Sequence, residues 1–177
     1  MKATNEKWVS ATENLMQRRK QSGSLKQATV PSQDYIDYIS KCGVGESVLD
    51  VGCGSQTLKL CLTEGVKYYG LDAFPIDGID CFETAIEDFK GRKFDTVCAF
   101  AVLDNCRDFD KAIEVMAETA QQNIIILTGI GINPDQYHTF RLEFEDFERA
   151  FEGKGFELTI KENLYHRVWL LNYQKLA

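Results

Sequence analysis

Nothing limits the fold of this chain more than the run Val48-Leu49-Asp50-Val51-Gly52-Cys53-Gly54-Ser55. A short apolar strand turns there on two glycines, and Thr57 to Leu62 reads as the start of a helix. Glycines placed directly after a strand and before a helix let the backbone come close to a ligand. A helix N-terminus presents free N–H groups to a carboxylate or phosphate. The same run also suits a plain tight turn, so its surroundings decide. Asp72 lies 22 residues after Asp50 and ends a second strand beginning at Val66. An acid at that place can accept both hydroxyls of a ribose. Its other reading is a turn former ahead of Pro75.

The remaining pattern alternates strands and helices. Residues 5–20 and a segment from Pro31 to Lys41 read as N-terminal helices, the second capped by Ser32 or Thr29. After the first two strands come a short edge strand at 79–82, a fourth strand at 94–100, a helix at 108–119 and a fifth strand at 123–127. A loop over 128–139 leads to a helix near 143–152. Two strands, 156–161 and 165–173, close the chain, joined by a turn near Glu162-Asn163. Strands separated by helices predict a mostly parallel sheet covered on both faces. The last two strands predict an antiparallel hairpin.

The chain has 177 residues, room for one domain of ordinary size. Its net charge of −7 argues against a broad nucleic-acid footprint. No stretch approaches the ~20 apolar residues of a membrane span, and Met1 to Glu6 has no secretory apolar core behind it. Six cysteines lie at 42, 53, 61, 81, 98 and 106 without CxxC spacing, and His138 and His166 are the only histidines. That pattern predicts no metal cluster and reduced thiols in a cytoplasmic protein.

These pieces together resemble the class I, Rossmann-like S-adenosylmethionine-dependent methyltransferases. The resemblance covers roughly residues 43–173. It rests on Val48 to Gly54, on Tyr69-Gly70-Leu71-Asp72, on Lys93-Phe94-Asp95-Thr96-Val97 with Ala99 to Asn105, and on Gly153-Lys154-Gly155-Phe156 before the hairpin. It implies an α/β Rossmann-like methyltransferase fold, a mostly parallel seven-stranded sheet with a C-terminal antiparallel hairpin and helices on both faces. Residues 43–177 would form the S-adenosyl-L-methionine-binding domain, and 1–42 would supply N-terminal helices able to act as a lid through Trp8, Arg18 and Arg19.

The resemblance assigns Gly52, Cys53 and Gly54 to the methionine part of the cofactor and Asp50 to its amino group. Asp72 would take the ribose and Ala73 would lie near the adenine. Glu83 and Thr84 would meet the adenine edge, with Asp80 as the alternative acid. The backbone around Phe100 and Ala101 would accept from the cofactor's ammonium. The chain departs from the family in three places. Gln56 replaces the third glycine, Asp104-Asn105 stands where many relatives have Glu-His, and the helix between strands two and three is missing or reduced to a turn.

A sulfonium methyl is already activated, so the protein's task is alignment in a nearly dry pocket. A base is needed only if the acceptor must lose a proton. His138, in the loop after the fifth strand, is the candidate catalytic residue, flanked by Tyr137 and Arg141. The expected reaction is in-line methyl transfer to a nucleophile on a small molecule, with no metal. The other readings are a tRNA or rRNA methyltransferase, a nicotinamide-dependent oxidoreductase, and a non-catalytic partner subunit. With no inserted cap, a second copy in a homo-oligomer is one way to close part of the pocket.

Overall fold

Side chains along a strand point alternately to the two faces of its sheet, and the central strands here are apolar on both. In the strand at Phe94–Phe100 (β4), Val97 and Ala99 face one core while Cys98 and Phe100 face another. The strand at Ala120–Gly129 (β5) repeats this, with Ile124 and Ile126 on one side and Ile125 and Leu127 on the other. Such strands must be covered twice, which is why a parallel sheet forms between helices. The computed structural model describes residues 1–23 and 25–177.

The element order is α1 (Asn5–Gln21), α2 (Gln33–Cys42), β1 (Ser47–Val51), β2 (Lys67–Asp72), β3 (Phe82–Glu83), β4, α3 (Phe109–Thr119), β5, α4 (Phe144–Phe151), β6 (Phe156–Tyr165) and β7 (Val168–Lys175). The seven strands form one sheet in the order β3-β2-β1-β4-β5-β7-β6. The first five in that order run parallel, and β7 is antiparallel to both its neighbours. Helices α3 and α4 cover the first core. On the other face α2 contributes Ile39 and Cys42, and a 3-10 turn at Leu58–Cys61 adds Leu58 and Cys61. The expected fold class is the one found.

Burial explains why the last strand is inserted rather than added at the edge. Leu170, Leu171, Asn172 and Tyr173 of β7 are buried, whereas β6 alternates exposed and half-buried residues after Phe156. The polar strand therefore takes the edge, where charged side chains discourage further pairing.

Several boundaries differ from the sequence reading. The hairpin turns at His166-Arg167, between the paired Tyr165 and Val168, and not at Glu162-Asn163. His166 takes a left-handed φ of 45° there, as a two-residue hairpin turn requires. Asn163 belongs to the strand and donates through Nδ2 to the carbonyls of His166 and Val168, which props the turn from below. The helix expected from Thr57 is only the 3-10 turn, and the third strand is two residues long and starts at Phe82. Ser32 caps α2, accepting from the Tyr35 amide, and the helix starts after Pro31 at Gln33. Between β2 and β3 the chain makes only turns.

Candidate functional site

The C-terminal ends of β1, β2 and β4 lie side by side, and the turns leaving them frame a crevice. Parallel sheets bind ligands at such ends. The amides of Gly52 and Cys53 both donate to the Leu71 carbonyl, at 2.7 and 3.1 Å, which folds the turn after β1 back onto β2. Gly52 has φ +70°, and a Cβ on it would stand 2.4 Å from Cγ2 of Val102. Glycine is therefore required both by backbone conformation and by space. Gln56, in place of a third glycine, adopts φ 59° and is buried. Its Nε2 donates to the Asp80 carbonyl at 2.8 Å, so a side chain anchors this turn to the segment before β3.

The two acids sit on either side of that turn. Asp72 accepts from the Gly54 amide through Oδ2 at 3.0 Å and from the Phe74 amide through Oδ1 at 2.9 Å. Asp50 is buried, and its Oδ2 accepts from the Tyr68 hydroxyl at 2.9 Å. Burial pushes the Asp50 carboxyl up to about 7; the Tyr68 hydrogen bond opposes this and the charge of Asp72 adds to it. Burial, with the Asp50 charge behind it, pushes the Tyr68 phenol far above its ordinary value, so Tyr68 keeps its proton and donates it to Asp50.

Two adjoining cavities occupy the crevice. The first, beneath α1, is bounded by the end of β2 from Leu71 to Phe74, by Ala85, Ile86 and Glu87, and by Ala101 and Val102. The second is bounded by Tyr35, Asp50, the turn from Gly52 to Ser55, Phe100 and Ala101. Gly52, Ala101 and Arg19 border both. Ala101 holds an unusual left-handed φ of 54° immediately after β4.

One face of α1 covers the first cavity. Trp8, Thr12, Leu15, Met16 and Arg19 recur at helical spacing and all line it. Trp8 donates from Nε1 to the Asn105 carbonyl at 2.9 Å, and its ring lies 5.3 Å from that of Phe74. Lys7 reaches the Thr139 carbonyl at 2.7 Å, and the Arg18 guanidinium stacks 4.9 Å from the Tyr137 ring. Only Ala11 of the seventeen α1 residues is buried, so the helix rests on the crevice more than on the core.

Of the residues singled out by sequence, Asp50, Gly52, Cys53, Gly54, Asp72, Ala73, Phe100 and Ala101 border this crevice. Glu83 and Thr84 do not. Glu83 is exposed at the end of β3, paired in register with Asp72, and the wall is made by the next residues, Ala85 to Glu87. Asp80 is also outside both cavities and exposed. His138 lines neither cavity. Its Nδ1 lies 2.7 Å from Asp135 Oδ1 and its Nε2 3.8 Å from Asp104 Oδ2. Burial raises the Asp104 carboxyl and His138 opposes the rise. Cys106 is buried, and burial lifts its thiol well above the ordinary value, which suits packing and not nucleophilic attack.

Sequence reasoning missed Tyr68, Tyr35 and Glu87. Tyr68 reaches Asp50 because Asp50 pairs with Gly70, two residues along the same face of β2. That contact is visible only once the strand register is known. Buried Glu87 accepts from the amides of Arg107 and Asp108 at 2.6 and 2.9 Å and so ties the cavity wall to the start of α3.

A family described as a methyltransferase domain matches residues 24–130, more than half of the chain. The chain belongs to the class I, Rossmann-like S-adenosylmethionine-dependent methyltransferases. A comparison with curated proteins finds no match. Among solved structures, the methyltransferase resembles the 1,6-didemethyltoxoflavin-N1-methyltransferase of Burkholderia thailandensis, with a TM-score of 0.71 at 9% identity. That likeness covers 99% of this chain and 92% of the other. It also resembles the magnesium protoporphyrin IX methyltransferase of Synechocystis PCC 6803 with bound S-adenosylhomocysteine, at TM-score 0.62 and 17% identity over 80% of each chain. The YcgJ protein of Bacillus subtilis gives TM-score 0.68 at 12% identity, over 82% of this chain and all of the other. At such identities the likeness establishes the fold.

The cofactor of this methyltransferase is S-adenosyl-L-methionine, and the crevice suits it. The turn from Gly52 to Ser55 borders the second cavity, and a buried acid with a raised pKa gains from a cationic partner.

Proposed function

We propose that this methyltransferase acts on a nucleophile of a small molecule, held beneath α1 at the junction of the two cavities. The observation that carries this reading is the α1 face over the crevice, where Trp8, Leu15 and Met16 stand across from the end of β2 and from Ala101. Two further points support it. The net charge is −7, unfavourable for a tRNA or rRNA substrate. The Burkholderia enzyme, bound to 1,6-didemethyltoxoflavin, is similar to this chain over nearly its whole length, N-terminal helices included.

In this proposal residues 1–42 supply the lid and 43–177 the binding domain. Asp50 and the backbone at Phe100 and Ala101 hold the cofactor's ammonium. Gly52, Cys53 and Gly54 lie along its methionine part, and Asp72 takes the ribose hydroxyls. Ala73 flanks the adenine, whose edge meets the segment following Glu83 and Thr84. When bound, the cofactor supplies a methyl group already activated by the sulfonium. The chain's own residues then align the acceptor opposite the leaving sulfur and exclude water.

His138 stands in the proposal as an acceptor-side group that lines neither cavity itself and acts through the segment it meets at Asp104, whose next residues, Asn105 and Cys106, border the first cavity. Its imidazole is held between Asp135 and Asp104, so it can take a proton without losing its position. The test follows transfer of labelled methyl into small-molecule and RNA fractions, with His138→Asn in parallel. Label in small molecules, with turnover of His138→Asn falling about tenfold or more and S-adenosylhomocysteine affinity intact, supports the reading. Label confined to RNA overturns it, and equal loss of turnover and affinity removes His138 from the acceptor side.

A further inference from the structure

The cavity beside Asp50 carries one feature to which the assignments above give no ligand. Arg19 borders it together with the buried Asp50. The guanidinium stands over the glycine turn, its NH1 3.5 Å from where a Cβ on Gly54 would be. Arg19 is half-buried, and among the described residues no ion pair joins it to a carboxylate. The nearby acids are committed elsewhere: Asp72 accepts from the Gly54 and Phe74 amides, and Asp50 from Tyr68. The neighbouring cation, Arg18, is spent on the Tyr137 ring. A half-buried guanidinium without an anion is an unfinished site, and its flat fork of donors matches a carboxylate.

A cavity bordered by an acid and by an arginine whose guanidinium stands over the glycine turn suits a zwitterionic amino acid, ammonium toward one and carboxylate toward the other. We infer that Arg19 binds the α-carboxylate of the cofactor's methionine end, and that the cofactor thereby ties α1 down over the crevice. This rests on the cofactor placement proposed above. An anionic acceptor could offer the same chemistry, so the experiment separates the two sources.

The test measures binding by calorimetry, without turnover. S-adenosylhomocysteine carries the amino-acid tail; methylthioadenosine is the same nucleoside thioether without it. Each is titrated into the wild type, Arg19→Ala and Arg19→Lys. The expected result is an affinity for S-adenosylhomocysteine about 10- to 100-fold weaker in Arg19→Ala, with part of the loss restored by Arg19→Lys. Methylthioadenosine should bind all three within about twofold, which also shows that the variants fold. A loss shared equally by both compounds overturns the carboxylate contact and makes Arg19 a support for α1. An unchanged S-adenosylhomocysteine affinity with a raised acceptor KM moves the guanidinium to the acceptor and also overturns the inference. Wild-type protein that binds neither compound overturns the cofactor placement itself, and Arg19 with it.

Discussion

The Asp72 carboxylate already takes two backbone donors, the Gly54 and Phe74 amides, and still has lone pairs to offer a ribose. Asp72→Ala should therefore weaken S-adenosylhomocysteine binding by about 1.5–3 kcal/mol, since charge-assisted hydrogen bonds are lost. Calorimetry checks this, and unchanged affinity takes Asp72 out of the site. Asp50 predicts a pH dependence. Its carboxyl titrates near 7 in the fold against 3.8 ordinarily. The folded chain thus holds this proton more tightly than the unfolded chain does. The residue favours folding least above pH 7, and its contribution to stability falls as pH rises from about 4 through about 7. Binding runs the other way, because an ammonium prefers the ionised acid. With Tyr68, Asp72, Tyr35, Cys53, Cys61 and Cys98 the titratable groups around Asp50, affinity for S-adenosylhomocysteine should climb with pH and level off above about 7. The same titration series on Asp50→Asn should be flat; a slope that survives the substitution assigns the dependence to another group. At this scale the sequence was informative where chemistry is local. Gly52, Gly54, Asp50 and Asp72 announce themselves by spacing. Tyr68 does not, because its role comes from strand register; Arg19 reads from the sequence as a lid residue, but its place over the Gly54 turn comes from the docking of a distant helix.

Helix α1 is held by a few contacts at its inward face, and Trp8 makes two of them, to the Asn105 carbonyl and the Phe74 ring. Trp8→Ala should cost the closed position about 1–2 kcal/mol and speed S-adenosylhomocysteine release about five- to twentyfold. Stopped-flow dissociation measures it, and a rate within twofold of wild type would make α1 a fixed buttress. The two N-terminal helices, the central strands and α3 were legible because each has a clear period, a cap or an apolar run. The segment after the glycine turn was not. Leu58 and Cys61 are buried in the second core, but Gly65 at φ +92° and the start of β2 at Lys67 leave no length for a full helix. The hairpin was also misplaced, since Asn163 looks like a turn residue and instead braces a turn three residues later.

At the scale of the molecule, alternation of strands and helices was enough to give the parallel sheet, and the polar character of β6 explains why β7 separates it from β5. What no local pattern reveals is where α1 comes to rest. Its stripe from Trp8 to Arg19 borders the crevice, with only Trp8 seated against a ring, that of Phe74. Leu15 and Met16 belong to that stripe and stay only half-buried. The protein's packing is thus finished by what it binds, and compounds that fill the gap will add to the melting temperature in proportion to their fit. A heat-denaturation survey of candidate metabolites, run with S-adenosylhomocysteine present, becomes a way to find the missing acceptor without knowing which atom is methylated.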